Sequence, residues 1–224
     1  MKNDNEKLSP TDKITDFVQK NRKGIFIVIG AFFLFFIGAV IFLSLNDYLN
    51  KKAIAEIEEL NRRFEDVQLY IGEEYYADDI ETLLAELETF AAKKKGFPAG
   101  KAWSIIARIY SEKQEWRLAE ETWLNAARIG NKTYLGPMAL FNAAAAAEEQ
   151  GDIERAIVLL RQCLSHPFEF PAAARAQFSI GRLNEQLNDY PAALEAYRAV
   201  LINWSNTPIW QHLARSRITA IEIR

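Results

Sequence analysis

Residues 25–45, IFIVIGAFFLFFIGAVIFLSL, constrain the rest of the chain most, because this run cannot be an element of a soluble domain. No charge occurs between Lys23 and Asp47, and the side chains are Ile, Phe, Val and Leu broken only by small residues. A helix rising about 1.5 Å per residue over this length reaches roughly 32 Å, enough to cross a hydrocarbon core of about 30 Å. In lipid such a helix satisfies its own backbone hydrogen bonds. A cleaved leader would have a shorter apolar region, roughly 7–15 residues, ending in an A-x-A-like site. Here the run leads into SLNDYLNKKA, which offers none, so the segment reads as a retained anchor.

The flanks set its direction. Lys20, Arg22 and Lys23 abut the span without an acid among them, whereas Asp47 comes first on the other side. The positive-inside bias then predicts a single pass through the inner (cytoplasmic) membrane. Residues 1–24 form a cytoplasmic tail and the C-terminal domain is periplasmic or otherwise extracytoplasmic. Residues 1–9 are polar and expected to be disordered. From Thr11 or Asp12, Ile14, Phe17 and Val18 fall on one face, which suits a short interfacial helix or a solvated tail equally well.

Charge and cysteine content narrow the partners. Of 27 Lys+Arg and 30 Asp+Glu, the tail holds six and four, which leaves 21 basic and 26 acidic residues beyond it. That acidic balance argues against nucleic acid. Cys163 is the sole cysteine, so an exported domain has no internal disulfide and depends on packing.

No segment beyond the span reads as a strand. Ile57, Leu60, Phe64, Val67 and Ile71 alternate by three and four, giving a helix with one narrow apolar seam. After a cap at Asp78 or Asp79, Ile80, Leu83, Leu84, Leu87, Phe90 and Ala91 form a second amphipathic helix. Together they predict a membrane-proximal antiparallel hairpin over residues 46–98. A repeat follows. Ala119, Ala156 and Ala193 recur every 37 residues, each after a short turn (KQEW, EQGD, QLND) and four before a bulky residue, Trp123, Leu160 or Tyr197. Ala107, Ala144 and Gly181 precede them on a small-residue track. Close helix crossings need this pattern, since a small side chain lets the backbones approach and bulky neighbours fill the flanks.

This pattern is similar to the tetratricopeptide repeat, W-x2-L-G-x2-Y…A-x3-F…A, whose usual period is 34 residues. Trp103, Ile106, Ala107, Tyr110, Ala119, Trp123 and Ala126 match in the first unit; Gly151, Ala156 and Leu160 in the second; Ile180, Gly181, Ala193 and Tyr197 in the third. Ala147 departs from the pattern where Tyr is usual, and HPFEFP lengthens the last junction. The resemblance implies an all-α fold: one N-terminal transmembrane helix, then a TPR-like α-solenoid of antiparallel helix pairs. Residues 46–98 are its degenerate leading repeat, 99–205 the repeats proper and 206–224 a terminal capping helix. In that helix Trp210, Leu213, Ala214, Ile218 and Ile221 form the covering face.

Nothing in the sequence looks catalytic. His166 and His212 belong to no HExxH, and neither CxxC nor GxSxG occurs. No enzymatic activity, cofactor or metal is expected. The resemblance instead implies a protein-binding groove on the first helix of each pair, here Lys101, Arg108, Met138, Phe141, Asn142, Arg175, Phe178 and Arg182. Phe141 and Phe178 occupy the same repeat position beside arginines, a composition typical of protein-binding surfaces. Packing between repeats accounts for the two phenylalanines equally well.

Tail, span and exported repeat domain together resemble the YfgM-type ancillary subunits of the bacterial Sec translocon. That resemblance implies a non-enzymatic scaffold that contacts translocon subunits, exported clients or periplasmic chaperones. The alternative is a structural adaptor in envelope assembly or cell division.

Overall fold

The structure, a computed structural model, describes residues 10–69 and 76–223. The expectations for residues 1–9 and for Ile71 lie outside these. All regular elements among the described residues are helices: α1 (Pro10–Gln68), α2 (Tyr76–Lys93), α3 (Gly96–Glu112), α4 (Trp116–Ile129), α5 (Leu135–Glu149), α6 (Ile153–Leu164), α7 (Ala173–Gln186), α8 (Tyr190–Asn203) and α9 (Pro208–Glu222). The chain divides into two compact units, residues 1–52 and 53–224.

In the first unit α1 carries the apolar run. Its most apolar stretch has a mean hydropathy of 3.0 and buries nothing, so α1 is long and apolar enough to cross a membrane. The interfacial helix is not a separate element. Ile14, Phe17 and Val18 are exposed on α1 itself, which starts at Pro10, where a missing N–H costs a helix nothing.

In the second unit the remainder of α1 supplies the apolar seam. Ala53, Ile57, Leu60 and Phe64 are buried with Ile80, Leu83, Leu87 and Phe90 of α2 and with Ile105, Ile106 and Ile109 of α3. Arg63 bonds Glu86 at 3.1 Å and Lys94 pairs with Glu56 at 3.1 Å, so the two helices of the hairpin run antiparallel. Two boundaries differ from expectation. Asp78 and Asp79 sit inside the first turn of α2, where acids favour the positive end of the helix dipole, rather than capping it. Helix α3 starts at Gly96, because Pro98 falls in its first turn, where proline is tolerated.

Pairs α3/α4, α5/α6 and α7/α8 follow, and the same turn closes each. Gln114, Gly151 and Asn188 have φ of 58°, 81° and 59°. The next amide reaches back to the helix: Glu115 to Tyr110 O at 2.9 Å, Asp152 to Ala147 O at 3.0 Å and Asp189 to Asn184 O at 2.9 Å. These are Schellman closures, which require a left-handed residue. In two of the three the next helix is then capped, by Asp152 accepting from Arg155 N and Asp189 from Ala192 N. The 37-residue period is thus written in backbone geometry as well as in side chains.

The core obeys the small-for-large rule. Ala119, Ala156 and Ala193 are fully buried, as is Tyr197, with Trp123 and Leu160 nearly so. A Cβ added at Gly181 would lie 2.5 Å from the Tyr197 ring, so only glycine admits that ring. Helix α9 covers Tyr197 and Val200 with Trp210, Ala214, Ile218 and Ile221. Leu213, expected on this inner face, points outward instead. The cause is register: the inward stripe runs through Ala214 and Ile218, and Leu213 falls about one residue off it.

Candidate functional site

The first helices of successive pairs, α3, α5 and α7, share one face, the concave one in a solenoid of this kind. Between α3 and α5 it opens into a cavity of about 470 Å³ lined by Lys101, Ser104, Arg108, Met138 and Asn142, with Asn61 and Glu65 of α1 on its rim. A second hollow of about 390 Å³ continues it toward Ser111, Glu112 and Glu149, sharing Arg108, Trp123 and Asn142. Four of the eight residues expected from sequence therefore converge: Lys101, Arg108, Met138 and Asn142. Lys101 is tethered to Glu58 by an ion pair. Arg108 lies with its guanidinium 4.6 Å from the centre of the Phe64 ring, a cation–π contact that fixes the plane of its donors along the groove. Half-buried Asn142 stands where the two hollows meet and supplies both donor and acceptor.

The other four make contacts within the protein, and two of them, Phe178 and Arg182, also line a separate hollow of about 490 Å³ beside Glu185 and Arg217. Phe141 packs on Phe170 from the 165–172 loop at 5.3 Å, and the Arg175 guanidinium lies 5.3 Å from the centre of its ring. Phe178 stacks against Tyr197 at 5.1 Å and Trp210 at 5.5 Å. Arg182 makes a bidentate pair with Glu148, both bonds 2.6 Å, and this hydrogen bonding raises its pKa. The recurrent phenylalanines thus bind neighbouring repeats together. The valley between α5 and α7 is filled by these contacts, whereas that between α3 and α5 is open.

Sequence reasoning passed over Trp123 and Glu112. Trp123 is almost fully buried, yet its ring edge lines both hollows and its indole nitrogen donates to Ser111 Oγ at 3.4 Å. The signal was available: a packed Trp places its N–H where a partner is within reach. Glu112 faces Gln68, and burial raises its pKa against the opposing influence of Arg108 and of the Gln68 hydrogen bond. Nothing in the local sequence distinguishes it from a solvated acid.

Other chemistry is sparse among the described residues. No group of three or more His, Cys, Asp or Glu is placed to hold a metal ion. Cys163 donates to Pro137 O at 3.2 Å, and burial pushes its thiol up to about 12, which leaves it unreactive. A wider concavity, about 850 Å³ between α1 and α2, is lined by charges already satisfied across the hairpin, including Glu56 with Lys94 and Glu86 with Arg63. It therefore offers a ligand less than the smaller groove does.

Comparison with known proteins agrees with this architecture. Residues 138–166 match the family described as "Tetratricopeptide repeat". A "TPR repeat-containing protein" of Treponema pallidum (strain Nichols) is 32% identical over 147 residues, 64% of this chain, and the chain spans 60% of that relative's length. Among solved structures, the nearly identical TPR-like repeats of a Podosopora anserina protein superpose with a TM-score of 0.53 at 15% identity. The alignment covers 74% of this chain and 91% of that one, and a point variant of the same protein gives the same values. At that identity the likeness concerns the fold alone. Turn geometry, small-for-large packing and the matched repeat together make the helical-repeat part of this chain tetratricopeptide-like.

Proposed function

We propose that this chain is a membrane-anchored, non-enzymatic scaffold of the periplasmic chaperone network, placed beside the protein translocon. In this reading α1 spans the inner membrane with its N-terminus in the cytoplasm, and the repeat domain meets polypeptides or chaperones on the outer side. The groove between α3 and α5 takes a segment of the partner. The observation that carries this is the open pair of hollows joined at Asn142, with a fixed guanidinium from Arg108, an amide from Asn142 and apolar walls from Met138 and Trp123. An extended backbone needs such alternating donors, acceptors and apolar surface.

The test places a photoreactive residue at Met138 in the intact membrane-embedded chain and identifies what is captured. Translocon subunits, exported clients or periplasmic chaperones are expected, with capture reduced by Arg108→Glu and unaffected at exposed Glu154. Added protease should digest the repeat domain in cells permeabilised only at an outer membrane. Protection there would overturn the orientation, and capture of cytoplasmic proteins alone would overturn the assignment.

A further inference from the structure

The connection between α6 and α7, residues 165–172, is eight residues long, against five between α4 and α5 and four between α8 and α9. Its ends are seated and its middle is not. His166 lies against the start of α5, where a Cβ added at Gly136 would stand 2.5 Å from Nε2. Phe170 packs on Phe141, and Pro167, Phe168 and Glu169 before it are exposed. The Phe168 N–H donates to His166 Nδ1 at 3.2 Å, and the Phe170 carbonyl accepts from Ala173 N at 2.9 Å. Among the described residues no hydrogen bond or ion pair joins residues 167–170 to α5, so the half-buried Phe170 ring is what attaches them to it. The next valley is covered differently. The 35-residue spacing that relates Arg217 to Arg182 also relates Trp210 to Arg175, and Trp210 stacks on Phe178 as Arg175 lies over Phe141. Phe178 also meets Tyr197, which is buried on α8, whereas the second unit has Leu160 at that position. Phe178 is thus covered by helices, and Phe141 by a segment that can lift without unwinding one.

We infer that Phe170 stands in for an aromatic side chain of a partner polypeptide. The valley between α5 and α7 is then a second subsite, closed by the chain itself until a partner's Phe, Tyr or Trp displaces Phe170. The inference rests on the reading that the concave face takes a polypeptide segment, and it adds what that segment carries. The chain's own occupant shows the chemistry: a tilted ring 5.3 Å from Phe141 with a guanidinium beside the pair, which favours an aromatic over an aliphatic side chain. Arg175 is exposed and makes no ion pair among the described residues, so it is available to the incoming ring as it is to Phe141. The two subsites adjoin. Phe141 and Asn142 are consecutive on α5, Asn142 opening toward α3 and Phe141 toward α7, so a segment in the open groove has only α5 to cross.

The probe is a fluorescent synthetic peptide with the sequence of residues 165–172, SHPFEFPA, titrated by anisotropy against the full chain in detergent micelles. Phe170→Ala vacates the valley, and this variant should bind the probe saturably at or below about 1 mM. The parent should bind it at least about threefold more weakly, because its own Phe170 competes at an effective concentration in the millimolar range. A probe carrying Phe170→Ala should bind neither. Arg175→Gln in the Phe170→Ala background should weaken the probe roughly two- to fivefold, as loss of a cation–π contact does. Circular dichroism of Phe170→Ala should keep the parent's helicity; a loss would make the ring a strut of the fold and overturn the inference. Equal affinity for parent and variant, indifference to Arg175→Gln, or no binding at about 1 mM would each overturn it as well. Failure of the groove reading looks different: the probe then binds Phe170→Ala while nothing is captured at Met138.

Discussion

Gly181→Ala tests the packing rule behind the repeat at its tightest point. The added Cβ would stand 2.5, 2.7 and 2.8 Å from three atoms of the Tyr197 ring, where ordinary contact needs at least about 3.4 Å. The ring cannot retreat freely. Tyr197 is fully buried, Phe178 lies 5.1 Å away, and the hydroxyl donates to Glu185 Oε2 at 2.6 Å. A shift of about 1 Å adds overpacking strain of about 1–3 kcal/mol and loosens a charge-assisted bond worth about 1.5–3 kcal/mol. Against this, alanine gains about 1 kcal/mol of helix propensity over glycine. The net expectation is a destabilisation of about 2–4 kcal/mol. Repeat arrays unfold in segments, so hydrogen exchange resolved by helix is the suitable assay. Loss of protection should concentrate in α7, α8 and α9 and leave α3 and α4 unchanged. Tyr197→Leu in the Gly181→Ala background should recover part of the loss, because Ala144 with Leu160 is the second unit's own solution. If Gly181→Ala alone protects these helices as well as the parent, the small-for-large account of the repeat is wrong.

Two further changes are informative. Gln114→Gly should stabilise the α3/α4 pair by about 0.5–1 kcal/mol in urea unfolding, since a left-handed non-glycine residue costs about 1–2 kcal/mol and glycine gives back part of that as chain entropy. Glu112→Gln should raise stability at neutral pH. Burial raises the Glu112 pKa from its ordinary 4.5, so its contribution is present in full below the unfolded pKa and lost as pH rises through the folded one. The gain should vanish as the melting comparison is taken down through pH 4, whereas a gain independent of pH would mean that the carboxylate is not the cause. Glu86 should do the opposite. Its hydrogen bond to Arg63 lowers its pKa, so Glu86→Gln should cost stability at neutral pH and nothing once pH falls through that lowered pKa.

The long apolar helix and the repeat were legible because one is an unbroken apolar run and the other a periodic apolar signal, and both survive without coordinates. The 37-residue recurrence of alanines located the helix pairs, and QGD and LND located their turns. Which valley would be open was not legible. Phe141 has the same repeat position as Phe178, yet each is covered from a different direction: Phe141 by Phe170 of the loop and Arg175, Phe178 by Tyr197 and Trp210. Phe170 comes from the junction loop and Trp210 from beyond the third unit, and a repeat alignment does not pair them with these rings. The pairing of Arg182 was not legible for the same reason, since its partner Glu148 lies one unit away. Leu213 missed its face by about one residue, within the error of reading a helical stripe that has no facing helix to fix its phase.

The ionic bridges Glu148–Arg182 and Glu185–Arg217 both span neighbouring helices on the same side of the stack, and each is partly open to water. A superhelix tied along one edge has an elastic bias: shortening the ties tightens its curvature and releasing them lets it relax. Those ties are electrostatic, whereas the junctions between α3, α4 and α5 rest on buried alanines and Trp123. Screening over about 8 Å at physiological salt acts on the former and leaves the latter alone. The spring constant of this solenoid is therefore not uniform, and its C-terminal half should uncurl as ionic strength rises while its N-terminal half keeps its pitch.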